Sequence, residues 1–166
     1  MSAFPADLDS KARAVLTVCA GAKLMIATAE SCTGGLIAAA LTAIPGSSSV
    51  VERGFVTYSN QAKIEMLGVS AALIERFGAV SDGVAIAMAE GALKHAKVGA
   101  SVAVTGIAGP SGGTPEKPVG LVFMAAAFRG KPALMERHVF PGDRDAIRHA
   151  TALAAMDLLI RRIVAD

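Results

Sequence analysis

The stretch KLMIATAESCTGGLIAAALTAI, residues 23–44, decides how this chain folds. Its first part, KLMIATA (23–29), is short, apolar and bounded by turn signals, the pattern of a strand buried on both faces of a sheet. Its last part, TGGLIAAALTAI (33–44), reads as a helix stopped by Pro45 and Gly46. A buried strand feeding directly into a helix is the repeating unit of a parallel α/β sheet. TAESCTGG (28–35) therefore lies on a strand-to-helix turn, with Ser31 and Cys32 side by side on it.

Upstream, PADLDSKARAVLTVCAGA (5–22) places Leu8, Ala12, Val15, Leu16 and Cys19 at helical spacing, and Gly21 can end the run. Downstream, VVERGFVTYS (50–59) is β-branched and aromatic, and NQAKIEML then begins a helix that ends near Gly68. Tyr58 and Lys63 straddle that second strand-to-helix transition. SAALIERFG and SDGVAIAMAEGALKHAK each open with a serine suited to cap a helix, the second also with Asp82. SVAVTG (101–106) resumes the buried-strand pattern. IAGPSGGTPEKPVG (107–120) holds four Gly and three Pro and must be a loop, long enough to suggest a functional one. LVFMAAAFRG and PALMERHVF read as antiparallel strands around a Gly-Lys turn, and GDRDAIRHATALAAMDLLIRRIVA closes the chain as a long amphipathic helix. The expected fold is α/β, a three-layer α/β/α sandwich with a mixed, mostly parallel sheet. At 166 residues it forms one domain, 1–166, without repeat or linker.

Composition excludes several function classes. Hydrophobic residues make up 53% and charged ones 18%, so the chain buries a core rather than solvating itself. A net charge of +2 with one Tyr and no Trp leaves neither a basic face nor rings for a nucleic-acid platform. Cys19 and Cys32 form neither a CxxC pair nor a disulfide framework, which fits a reducing cytoplasm. No apolar run approaches the ~18 residues of a membrane helix, and the N-terminus lacks a leader pattern. The expectation is a cytoplasmic protein with no nucleic-acid or membrane partner, and its apolar richness suits a homo-oligomer.

Ser31 stands where a nucleophile has local advantages, since the amides at a helix start are unpaired and the helix dipole is positive there. The same position also suits an ordinary helix cap. Cys32 competes as a thiolate or serves as a small buried hydrophobe. There is no G-x-S-x-G motif, and His95, His138 and His149 sit on expected helices or a strand. A serine without a histidine needs another base, and a lysine kept neutral by burial can supply one, making Lys63 the candidate. No metal-ligand pattern, Walker motif or G-x-G-x-x-G appears, so no metal or cofactor is expected, although glycine-rich turns can hold phosphate through backbone amides. Arg144 and Arg148, four residues apart at the start of the last helix, share one face, suited either to an anion or to pairing with Asp143 and Asp145.

Taken in order, TAESCTGGLIAAALT, PGSSSVVERGFVTYSNQAKIEMLGV, GAVSDGVAIAMAEGAL, VAVTGIAGPSGGTPEKPVGLVF and FPGDRDAIRHATALAAMDLL resemble the CinA C-terminal domain family, the nicotinamide mononucleotide deamidases. The resemblance covers roughly residues 6–165, essentially the whole chain. It implies hydrolysis of the carboxamide of nicotinamide mononucleotide to nicotinate mononucleotide and ammonia, a pyridine-nucleotide salvage step, by a Ser/Lys mechanism without a metal. The family's AESCTGG serine falls on Ser31, the tyrosine and lysine of YSNxxK on Tyr58 and Lys63, the threonine of TGIAGP on Thr105, and the arginines of GDRxxIR on Arg144 and Arg148. The expected site has Ser31, Lys63 and Tyr58 as catalytic groups, Tyr58 orienting Lys63 or relaying a proton, and the turn amides around Cys32 and Thr33 forming the oxyanion hole. Thr33, Gly34, Thr105, Gly106, Gly109, Arg144 and Arg148 are expected to bind substrate. One other class stays open, a non-catalytic nucleotide-binding module linked to competence or DNA-damage responses; a nucleic-acid-binding protein would need a basic face that the near-balanced composition does not show.

Overall fold

A computed structural model describes residues 2–165. Five strands, β1 (Ile26–Glu30), β2 (Val51–Val56), β3 (Ala100–Gly106), β4 (Leu121–Phe128) and β5 (Lys131–Val139), form one sheet in the order β2-β1-β3-β4-β5. β1 runs parallel to β2 and β3, while β4 is antiparallel to both β3 and β5. Helices α1 (Ala6–Gly21), α2 (Leu36–Thr42) and α6 (Arg144–Val164) cover one face. The other face carries α3 (Asn60–Leu67), α4 (Ala71–Phe77) and α5 (Asp82–Ala96). The expected three-layer α/β/α sandwich with a mixed sheet is the fold observed.

Strand alternation divides the core. On one side Ile26, Val102, Val104, Val122 and Met124 pack against Leu8, Val15, Ile37, Leu41, Ile147 and Leu158. On the other, the sheet offers small side chains, Ala27, Ala29, Ala103, Ala125 and Ala127, to an α5 that is itself lined by Ala85, Met88, Ala89 and Ala92. The same economy of volume brings α3 onto α5. A Cβ on Gly91 would stand 2.1 Å from the Leu67 carbonyl oxygen, so only glycine permits this approach.

From β1 the chain crosses to β2 through α2 on one face, then to β3 through α3, α4 and α5 on the other. The first crossover leaves the carboxyl end of β1 and the second that of its neighbour β2, on opposite faces, and it is at such carboxyl ends that open α/β sheets leave a crevice. The carboxyl ends of β1, β2 and β3 deliver Ser31, Tyr58 and Thr105 to that crevice.

Three local expectations need correction. The second helix begins at Leu36 rather than Thr33, because Gly34 (φ +58°) and Gly35 (φ +101°) take left-handed backbone conformations and make residues 31–35 a separate turn. Ser31 thus lies on the turn before the helix, not in the helix's first turn. The first strand starts at Ile26, since Lys23 (φ 55°) still belongs to the turn after α1. Between β4 and β5 the turn is Arg129-Gly130, and Lys131 opens β5.

Candidate active site

Ser31, Cys32, Tyr58, Asn60, Lys63, Ala79, Val80, Thr105, Gly106, Ala108 and Arg144 line a polar cleft of about 230 Å³. Its centre is the contact between Lys63 Nζ and Ser31 Oγ, 2.9 Å apart. Lys63 projects from α3, whose start is set by the Ser59 side chain accepting from Ala62 N–H and whose end is the left-handed Gly68. The lysine is 1% exposed and the serine 8%. Nζ also donates to the Thr57 carbonyl at 2.8 Å and, more weakly, to the Tyr58 carbonyl at 3.4 Å. No carboxylate forms an ion pair with it among the described residues. Burial therefore lowers its pKa from the ordinary 10.5. A neutral amine has two N–H bonds and one lone pair. If the two carbonyls took both N–H bonds of such a neutral amine, its lone pair would face Ser31 Oγ.

Cys32 is buried against the α1/α2/α6 side of the core, and desolvation pushes its thiol up to about 12. That leaves it protonated at neutral pH, so it is a packing residue rather than a competing nucleophile.

The turn amides of Cys32 and Thr33, expected to form an oxyanion hole, donate to no protein acceptor among the described residues, whereas the amides at the start of α2 are already occupied. Glu30, wholly buried at the end of β1, accepts from Ile37 N–H at 2.9 Å, Ala38 N–H at 3.0 Å and Thr33 Oγ1 at 2.6 Å. Its carboxylate caps the helix from outside and complements the positive end of the dipole. Thr33 is consequently a buried link to Glu30 and stands outside the cleft, as does the exposed Gly34. Sequence reasoning missed Glu30 because it caps from six residues before the helix, beyond the usual N-cap spacing.

The remaining expected residues separate into those at the cleft and those behind it. Thr105 lines it, but its hydroxyl donates to the Ala79 carbonyl at 2.9 Å, so it also secures the opposite wall. Gly106 lies beside it, where a Cβ would press on Val122 and the Leu121 carbonyl. Gly109 contributes its carbonyl, which accepts from Arg144 Nη1 at 2.7 Å. Arg144 Nη2 reaches the Tyr58 hydroxyl at 3.0 Å. The Tyr58 phenol thus belongs to the rim, 62% exposed, and it is the residue's backbone carbonyl that touches Lys63. Arg148 is not in the cleft; it donates to the Cys32 carbonyl at 3.1 Å and the Thr33 carbonyl at 2.8 Å. Neither arginine pairs with Asp143, which caps α6 at Ala146 N–H instead. Asn60 and the Ala79-Val80 wall are cleft residues that no motif announced.

A family model described as the CinA C-terminal domain matches residues 8–163. The chain belongs to the CinA C-terminal domain family. Among CinA relatives, a CinA-like protein of Akkermansia muciniphila is 52% identical over 144 residues, 87% of this chain and 35% of that protein. A putative competence-damage inducible protein of Acetivibrio thermocellus is 52% identical over 141 residues, 85% of this chain and 34% of the relative. The chain spans about a third of the length of these relatives. The crystal structure of the competence/damage inducible protein CihA from Agrobacterium tumefaciens superposes with a TM-score of 0.94 at 52% identity, covering 96% of this chain and 98% of that one. A competence or damage-inducible protein from Enterobacter asburiae gives a TM-score of 0.89 at 29% identity, with 94% and 98% covered. Among the described residues no grouping of His, Cys, Asp and Glu could hold a metal, and no helix is long and apolar enough to cross a membrane.

Proposed function

We propose that this chain is an amidohydrolase that converts nicotinamide mononucleotide to nicotinate mononucleotide and ammonia, with Ser31 as nucleophile and neutral Lys63 as general base. The observation that carries this reading is the buried Lys63-Ser31 contact, in which two backbone carbonyls occupy the amine's N–H bonds. Lys63 takes the Ser31 proton as Oγ bonds to the carboxamide carbon, and the carbonyl oxygen becomes an oxyanion. Collapse breaks the C–N bond, with the departing nitrogen taking the proton from Lys63 and leaving as ammonia. Water then attacks the acyl-enzyme ester, passes a proton to Lys63, and Ser31 recovers it as the C–Oγ bond breaks. The products are the acid, which gives up its proton to solvent to become a carboxylate, and the free enzyme.

Arg144 supplies the nucleotide end of the reading. It is the one cation on the cleft rim among the described residues, and its contacts are a phenol and a carbonyl rather than a carboxylate. A phosphate can displace both with bidentate geometry. Binding energy from the phosphate then positions the distant carboxamide.

Mass spectrometry of nicotinamide mononucleotide incubated with wild-type and Ser31→Ala protein tests substrate, reaction and nucleophile together. Conversion by the wild type and none by the variant is the expected result. No conversion by either leaves the non-catalytic nucleotide-binding reading in its place.

A further inference from the structure

The turn that carries Ser31 is gripped by two opposite charges that do not touch each other. Glu30 takes its donors, Thr33 Oγ1 and the first free amides of α2. Arg148, reaching across from α6, takes its acceptors, the Cys32 carbonyl through Nε and the Thr33 carbonyl through Nη2. Thr33 is the node, since its hydroxyl is held by the anion and its carbonyl by the cation. A Cβ on Gly34 would lie 3.5 Å from Arg148 Nη2, so the guanidinium fits closely around the turn.

This grip settles which way the peptides face. In a planar trans peptide the C=O and the following N–H point in opposite directions. Drawing the Cys32 carbonyl onto Arg148 therefore turns Thr33 N–H away from the guanidinium. The Ser31 carbonyl accepts from Gly34 N–H at 3.0 Å, which fixes the Cys32 N–H in the same manner. Neither the Cys32 nor the Thr33 N–H donates to a protein acceptor among the described residues. A cation on the carbonyl side also polarises the peptide and strengthens its N–H as a donor.

We propose that Arg148 is a positioning residue for acylation: it orients and polarises the Cys32-Thr33 peptide so that the Thr33 N–H, beside the Cys32 N–H, receives the negative charge that develops as Ser31 attacks. Glu30 is its counter-anchor, holding α2 so that the helix amides do not compete for the turn. This rests on Ser31 being the nucleophile, and it assigns Arg148 a role separate from that of Arg144.

The test uses an alkyl fluorophosphonate, which reports on the nucleophile without the nucleotide. Ser31 Oγ bonds to phosphorus, the P–F bond breaks, fluoride leaves with the electron pair, and the serine proton passes through Lys63 to solvent. Labelling rates are followed by intact mass, with Ser31→Ala as the blank. Arg148→Ala is expected to fold with a modestly lower melting temperature and to label on the order of 10²-fold more slowly, and millimolar guanidinium should restore the rate at least ~10-fold. Arg148→Lys, a point charge without the fork, should fall between. If Arg148→Ala fails to fold, Arg148→Lys carries the test. Wild-type labelling rates in the folded variants overturn the proposal, as does slowing that guanidinium does not relieve. A wild type that is not labelled at Ser31 removes the nucleophile reading, and the proposal with it.

Discussion

Replacing Lys63 by methionine keeps the length and removes the amine, and its effect on stability depends on pH in a way that isolates the charge state of Lys63. In the unfolded chain the lysine holds its proton up to about 10.5, whereas burial makes the folded protein release it at a lower pH. Between those two values unfolding takes up a proton, so raising the pH stabilises the folded wild type. The limiting slope for one proton is about 1.4 kcal/mol per pH unit. Below the lowered value both states are protonated, above 10.5 neither is, and the slope vanishes at both ends. The thioether of the variant cannot titrate, so the stability difference between wild type and Lys63→Met should climb through this window. The absolute offset is less informative. Lost bonds to the Thr57 and Tyr58 carbonyls, ~1–3 kcal/mol for a buried acceptor left unpaired, oppose the relief of no longer burying an amine. Urea denaturation of both proteins at pH 7, 8, 9 and 10 measures the difference directly. A difference flat across that range would mean Lys63 carries the same charge in both states, and the general-base reasoning would fail.

Lys63→Arg puts a permanent cation where the proposed neutral base stands, so amide hydrolysis should drop by ~10²–10⁴-fold, measured as ammonia release. Cys32→Ala should keep activity within about threefold, because a thiol pushed up to about 12 contributes no thiolate, and iodoacetamide at pH 8 should leave Cys32 unmodified. Arg144→Met should weaken turnover of nicotinamide mononucleotide strongly while hardly changing that of nicotinamide riboside; equal losses would assign Arg144 to structure. Gly91→Ala should lower stability by ~1–3 kcal/mol in urea titrations, since the new Cβ meets the Leu67 carbonyl and α3 must shift.

Much of the fold is legible because its signals are local. KLMIATA and SVAVTG stand out as buried strands between turn residues, and the absence of a usable histidine directs attention to Lys63, which the fold brings to Ser31. The start of α2 lies three residues beyond its sequence reading because TGG carries no sign that both glycines turn left-handed. Arg148 escapes the sequence for the opposite reason. Its spacing from Arg144 is a local regularity, whereas its partners lie across the molecule on the turn at Cys32 and Thr33. Glu30 gives no warning, since an acid at the end of an apolar run reads as the strand's exit into solvent.

The alanine-lined contact between the sheet and α5 gives the cleft walls of unequal stiffness. Ala79 and Val80 lead through Ser81 into a helix seated on Ala27, Ala29, Ala103 and Ala125, side chains with no rotamers to exchange. That wall behaves as a rail: it cannot yield by repacking, and a larger side chain beneath it would lift the whole helix. The wall made by Gly106 and Ala108 continues into residues 110–116, which are exposed and bound by no comparable layer. Widening the cleft for a bulkier ligand is therefore a problem in redesigning the loop after Gly109, and changes on the α5 side would cost fold before they altered the cleft.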